Sequence, residues 1–289
     1  MFLFSRSAAT RSATLAAASS LAIAVFGAQP AGAEPAATAG QAAPQTDAAG
    51  TVARTLLTKV EDKIAASKSL ILKSTSIASG AKLPKVSPIV VTATLERPAL
   101  LQIGISIDGK DVGRIVTGPD GGYVYDTAGN RYIKVAKGST PKDTVRKAFG
   151  AAESILPDGV LLGMYVPVSF LMEAHPLQML GDKGVDRKTS DDTVNGAAVT
   201  HVAQTITQGA SITKLDVYID KKNELPVEVA FSGSSNGQAG ASLKADFASF
   251  ELGDTQPAAT FDATPPATAT IYTPPAPPAA AAPEGPAAK

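Results

Sequence analysis

Two histidines, His175 and His201, are the side chains in this sequence best suited to acid–base or metal chemistry near neutral pH. They stand 26 residues apart, without the i,i+4 spacing of a helical metal pair, and the sequence identifies no carboxylate partners for them. His175 reads as a helix-end residue beside Pro176, and His201 as a structural strand residue. Asp182, Asp186, Asp191 and Asp192 form a loose acidic group, but Lys183, Arg187 and Lys188 are interleaved with them, the pattern of a solvated surface. Cysteine is absent, which excludes disulfides, thiolate nucleophiles, zinc–thiolate sites and iron–sulfur clusters. There is no P-loop, and Gly118-Pro119-Asp120-Gly121-Gly122 reads as a turn. The expectation is a protein that is not an enzyme and takes no cofactor and no metal. Lys+Arg and Asp+Glu balance at 26 each, which argues against a strongly basic nucleic-acid binder.

The elements that would position any binding surface follow from periodicity. Val52, Leu56, Val60 and Ile64 recur every fourth residue and predict an amphipathic helix over 51–67, with Lys59, Glu61, Asp62 and Lys63 largely off its apolar face. The period then changes to two. Leu101, Ile103, Ile105 and Ile107 alternate with Gln102, Gly104 and Ser106. Similar runs start at Ile89, Leu215, Leu225 and Leu243, and the last slips phase at Phe250 and Leu252, which predicts a bulge. One apolar and one wetter face per strand is the mark of an antiparallel sheet. Asp108-Gly109 and Asn195-Gly196 are two-residue hairpin signals. A helical excursion at 139–181 interrupts the strands. Thr140-Pro141-Lys142-Asp143 reads as a helix start, followed by Val145, Ala148, Phe149 and Ala152. Pro167 reads as the opening of a second helix containing Phe170, Leu171 and Ala174, ended by Pro176.

The ends of the chain differ in kind. Arg6 and Arg11, the apolar stretch from Leu15 to Ala28, and Ala31-Gly32-Ala33 form an export signal over 1–33, cleaved near Ala33. Residues 34–50 read as a flexible leader, 51–264 as one folded domain, and 265–289 as a Pro/Ala-rich disordered tail. No segment after cleavage is apolar enough to span a membrane. The fold class expected is α+β, mainly β. A curved antiparallel half-barrel of about 9–11 strands is covered on its apolar face by the N-terminal helix and a helical lid. Apart from Met1, the methionines are Met164, Met172 and Met179, all in the lid, where a pliable apolar surface suits an adaptable contact.

Several stretches carry a family resemblance. Glu96-Arg97-Pro98-Ala99-Leu100-Leu101-Gln102 resembles the "RP" strand of LolA-type periplasmic lipoprotein carriers, and Asp120 to Asp126 resembles their "DG…Y" hairpin. Tyr218-Ile219-Asp220 with Glu224-Leu225-Pro226-Val227 is similar to their "W-I-D…LP" pair, and Thr260 to Pro266 to the closing "F-x-F-x-P-P". Val194 to His201 is closer to a periplasmic family of unknown function in the same LolA/LolB/RseB-like superfamily. The resemblance spans about 51–268. It implies a half-barrel closed by helices over a hydrophobic cavity and a periplasmic location. It also implies that Arg97 helps to tether the lid. Trp is absent, a departure from the aromatic-rich cavities of the carriers.

On that reading the cavity is lined by Leu101, Ile103 and Ile105 on the sheet and by Phe149, Phe170, Leu171, Met172 and Met179 on the lid. The expected ligand is a lipid, an acyl chain or a lipidated protein. The alternative is an RseB-like sensor or interaction module of the cell envelope, with an envelope protein as partner and no transported ligand.

Overall fold

The computed structural model describes residues 48–80, 87–98, 100–157, 159–173 and 175–274, and for Leu171 the backbone only. The export signal and most of the leader lie outside the described residues. Helix α1 begins at Ala48, inside the segment whose composition reads as leader, and runs to Ala66. Six strands then form a meander: β1 (Ser69–Ser79), β2 (Ile89–Glu96), β3 (Leu100–Ile107), β4 (Lys110–Gly118), β5 (Gly121–Asp126) and β6 (Arg131–Ala136). Helices α2 (Pro141–Ile155) and α3 (Val160–Met172) follow. A second meander contains β7 (Val185–Val194), β8 (Ala197–Gln208), β9 (Ser211–Asp220), β10 (Pro226–Ser235) and β11 (Gln238–Gly253). A two-residue strand, β12 (Thr270–Ile271), closes the list of elements.

All of these strands form one open sheet in the order β12-β6-β5-β4-β3-β2-β1-β11-β10-β9-β8-β7. The two meanders join where β1 pairs with β11. Every pairing is antiparallel except β12 beside β6. This is the α+β half-barrel that the alternating runs predict. Among the described residues the sheet has twelve strands against the expected nine to eleven or so, because β12 comes from the Pro/Ala-rich end, where a two-residue pairing leaves no periodic signal. The segment 265–274 docks along β6. Asn130 Nδ2 donates to Thr268 O (3.1 Å), Tyr272 N donates to Tyr132 O (2.7 Å), and the Arg131 guanidinium lies 4.4 Å from the centre of the Tyr272 ring. At the other edge, β7 is charged along its length, which blunts an exposed edge.

Turn chemistry sets the register. Asp108-Gly109 and Asn195-Gly196 both have positive φ at each residue, as a type I′ hairpin requires, and Asn236-Gly237 makes a third. The expected bulge lies on β11, where Lys73 and Ser74 of β1 face Ser249 and Phe247 and leave Ala248 between them.

The helices lie on one face of the sheet. Helix α1 packs on β7, α2 on β4–β6, and α3 on β1, β2 and β11. A single apolar cluster unites that face with the helices, from Leu57 and Val60 through Leu101, Ile103 and Ile105 to Phe170 and Phe247. The buried stripe of α1 is Ala53, Leu57, Val60, Glu61 and Ile64, and Val52 is 59% exposed. A strict every-fourth pattern drifts about 40° per step around a 3.6-residue helix, so the real face mixes steps of three and four. The placement of Glu61 off the apolar face is thereby corrected, since it falls four residues after Leu57.

Candidate functional site

The concave face beneath α3 is the centre of the molecule. Phe170 is buried and packs edge-on against Phe247 and Phe250, with ring centres 5.6 and 5.2 Å away. Leu101, Ile103 and Ile105 are fully buried on β3, with Leu95, Ala93 and Val91 opposite the first, second and third of them on β2. Phe149, Met172 and Met179 are half-buried and pack against the same cluster. Of the expected liners, the sheet residues and Phe170 therefore belong to one apolar body. Phe149 joins it from α2, and Met179 from the segment after α3, where its sulfur lies 3.8 Å from the Tyr165 hydroxyl. Burial pushes the Tyr165 phenol above its ordinary range.

Helix α3 is longer than its sequence signal. It starts at Val160 rather than at Pro167, which lies inside it. The run VLLGMYVPVSFLM is apolar almost all round, so no amphipathic period marks its start, and the proline reads as a boundary. Its N-cap, Gly159, is left-handed (φ 85°) and provides no side-chain cap. Pro167 has no N–H to donate to the Gly163 carbonyl one turn earlier. A methyl group at Gly163 would collide with Ile89, so the glycine permits the close approach of helix to sheet.

Two unpartnered hydroxyls lie on the same interface. Ser74 and Ser76 of β1 are fully buried, and neither Oγ has a hydrogen-bond partner. Ser74 pairs across strands with Val91 and Phe247, and Ser76 with Ile89 and Ala245, so both point into the apolar face.

A different arrangement holds the segment after α3. The Glu61 carboxylate, buried on α1, accepts from Leu177 N (2.7 Å) and Gln178 Nε2 (2.7 Å), and His175 Nδ1 lies 3.1 Å from it. From the sheet side, Gln204 Nε2 donates to Leu177 O (2.7 Å). Arg187 is buried against Gln204, with Nε donating to Gln204 Oε1 (3.1 Å) and Nη2 donating to the Gly181 carbonyl. Asp182 bridges Arg187 (3.2 Å) and Arg54 of α1 (3.0 Å). Burial pulls the Arg187 guanidinium below its ordinary pKa, and Asp182 opposes that shift. The reading of Arg187 as part of a solvated surface is corrected: it is buried and faces the concave side of β7.

Arg97 reaches a helix, but that helix is α1 rather than the 139–181 excursion. Its Nε donates to Ser67 O (3.2 Å) and its Nη2 to Ile64 O (3.4 Å), satisfying carbonyls at the helix C-terminus. Lys59 and Lys63 pin the same helix to the β9–β10 turn through Glu224 (2.6 Å) and Asn223 O (2.6 Å).

His201 lies on the opposite, outer face of the sheet. It stacks on Tyr218 (4.4 Å), pairs with Asp216 (2.8 Å), and has Ser190 at 3.4 Å from Nδ1. Strand register brings these residues together, Ser190, His201 and Tyr218 being direct cross-strand neighbours. Their placement away from the helices makes them a polar ladder that ties β7, β8 and β9.

No family model and no curated protein matches the chain. Solved structures do. LprF from Mycobacterium bovis is 12% identical, with 72% of this chain and 96% of that one covered and a TM-score of 0.43. The lipoprotein LppX of Mycobacterium tuberculosis is 10% identical, covering 69% and 95%, with a TM-score of 0.39. A LolA superfamily protein from Nitrosomonas europaea is 9% identical, covering 72% and 96%, with a TM-score of 0.30. Likenesses this distant assign no activity to this chain.

Proposed function

We propose that the chain is an exported periplasmic binding protein that shelters a lipid, an acyl chain or a lipidated protein between α3 and the concave face of the sheet. One observation supports this most directly. The centre of a continuous apolar sheet face is covered by a helix that is apolar almost all round, has no side-chain cap and contains a proline. Such a helix has little to hold it apart from the grease beneath it. Displacing it would expose a surface able to take up an acyl chain at about 0.8 kcal/mol per buried methylene. Leu101, Ile103 and Ile105 would form the floor, with Phe170 and the Phe149, Met172 and Met179 side chains at the sides. Leu171 is kept among the candidate liners. Among the described residues no helix is long and apolar enough to cross a membrane.

The complete burial of the sheet liners in this closed form favours a second reading, an envelope interaction module with a filled interior and no transported ligand. Native mass spectrometry of the protein, gently extracted from the envelope, separates the two. Co-purifying lipid masses and uptake of a fluorescent acyl probe support sheltering. Protein that is repeatedly recovered empty, ignores the probe and captures one stoichiometric envelope protein supports the interaction module.

A further inference from the structure

Ser74 and Ser76 are out of place in a purely structural interior. A buried hydroxyl without a partner destabilises the fold, and nearly all such groups in folded proteins find one. Here two occur on one strand, two residues apart, both fully buried, both facing the same apolar surface. They lie beneath the weakly supported helix: α3 packs on β1 and on both of its neighbours, and Gly163 rests on Ile89, the cross-strand partner of Ser76. The same helix carries the Gly163 carbonyl, which Pro167 leaves without its helical donor.

We propose that Ser74 and Ser76 are the polar contacts for the bound lipid and that they donate hydrogen bonds to the ester carbonyls of an uncharged diacylglyceryl group. This rests on the lipid-sheltering reading and specifies its ligand. The carbonyl is the matching chemistry because each serine hydroxyl supplies one donor and a carbonyl accepts. A charged headgroup does not fit at this place. The cross-strand neighbours of the serines are Val91, Phe247, Ile89 and Ala245, so a phosphate or carboxylate would be buried without a countercharge. Of the buried charged residues, Glu61 and Arg187 are engaged with the segment after α3, and Asp126 is paired with Arg131. Two donors along one strand, about 7 Å apart, suit a molecule with two esters. Acyl chains would then run over the apolar surface on either side. A diacylglyceryl group occurs both in free glycerolipids and on lipidated proteins, and the shared ester chemistry is what the serines would read.

The test compares three probes on the full chain and on a variant carrying Ser74→Ala and Ser76→Ala. The probes are a pyrene-labelled alkane without esters, a pyrene-labelled diacylglycerol, and a synthetic diacylated lipopeptide. The variant should melt a few degrees higher, since two unmet hydroxyls are gone. It should bind the alkane as the parent does and at least one ester probe about tenfold or more weakly. Preferential loss for diacylglycerol or for the lipopeptide identifies the source of the ester. Unchanged affinity of the variant for both ester probes overturns the assignment of the serines while sheltering stands. Failure of the parent chain to bind any of the three overturns both.

Discussion

Helices α2 and α3 lie on the same face of the same sheet, yet they are held in opposite ways. Helix α2 supplies its own start: Thr140 Oγ1 accepts from Asp143 N (3.1 Å), Asp143 Oδ2 accepts from Ser139 N (2.9 Å), and Pro141 opens the first turn. Helix α3 has none of these and keeps its place by apolar contact. Only its exit is fixed, by Glu61, Gln204 and Arg187, which between them hold the segment from Leu177 to Gly181. On the sheltering reading, the difference would separate an anchor from a moving part. Apolar contact is non-directional and survives sliding, whereas a buried hydrogen-bond network has one satisfied arrangement. A lid that opens over Ser74 and Ser76 would therefore pivot on its clamped C-terminal side, while α2 stays on the sheet.

Breaking the clamp should have the largest effect. Arg187→Leu leaves the buried Gln204 Oε1 and the Gly181 carbonyl without their donor, and should cost about 3 kcal/mol. Urea denaturation monitored by circular dichroism measures it. A loss below about 1 kcal/mol would mean that the clamp is no firmer than an exposed ion pair, and the contrast with α3 would vanish.

Pro167→Ala sharpens the comparison from the other side. It returns an N–H to the Gly163 carbonyl and removes the worst helix former from the middle of α3. After allowance for the freer unfolded chain, the gain should be about 2 kcal/mol. A stiffer lid should also slow uptake of an acyl probe in stopped-flow fluorescence. A variant that is more stable and takes up the probe at the parental rate would show that α3 does not gate entry.

Much of this architecture is legible in the sequence, and the limits have physical causes. Strands such as Leu101–Ile107 are readable because a period of two sorts apolar from polar side chains onto separate faces. Strand β1 is not, because its inward positions include Ser74 and Ser76, so hydropathy alone does not distinguish its two faces. Start signals written in local chemistry, as at Thr140, are readable within four residues. The start of α3 is hidden in a run with no polar face. The clamp is hidden for another reason: Glu61, Leu177, Arg187 and Gln204 acquire meaning only when helix, loop and two strands meet. One local sign existed, since Glu61 shares the helical face of Leu57 and Ile64. The positions named as liners, Leu101, Ile103, Ile105 and Phe170, could be identified as inward-facing; whether they open to a ligand depends on α3, which no periodicity describes.

Thr140→Ala tests the anchored side. Losing the cap should cost about 1 kcal/mol and raise amide exchange in the first turn of α2 while leaving α3 unchanged. Equal acceleration in both helices would mean that they move as one body.

The smallest effect concerns the acid that completes the same cap. The backbone N–H of Ser139, followed by Lys147, holds the Asp143 carboxyl below its ordinary pKa. A carboxylate whose folded pKa is depressed stabilises the fold above its unfolded value and loses that contribution as pH falls through the folded one. The parent and Asp143→Asn should therefore differ in Tm at neutral pH, and the gap should close as the solution is acidified below about pH 4. The carboxylate is on the surface, so salt should narrow the gap as well. A gap that persists in acid would assign the benefit to the shape of the side chain rather than to its charge. The support of α2 would then be steric, and the contrast with α3 would rest on Thr140 and Pro141 alone.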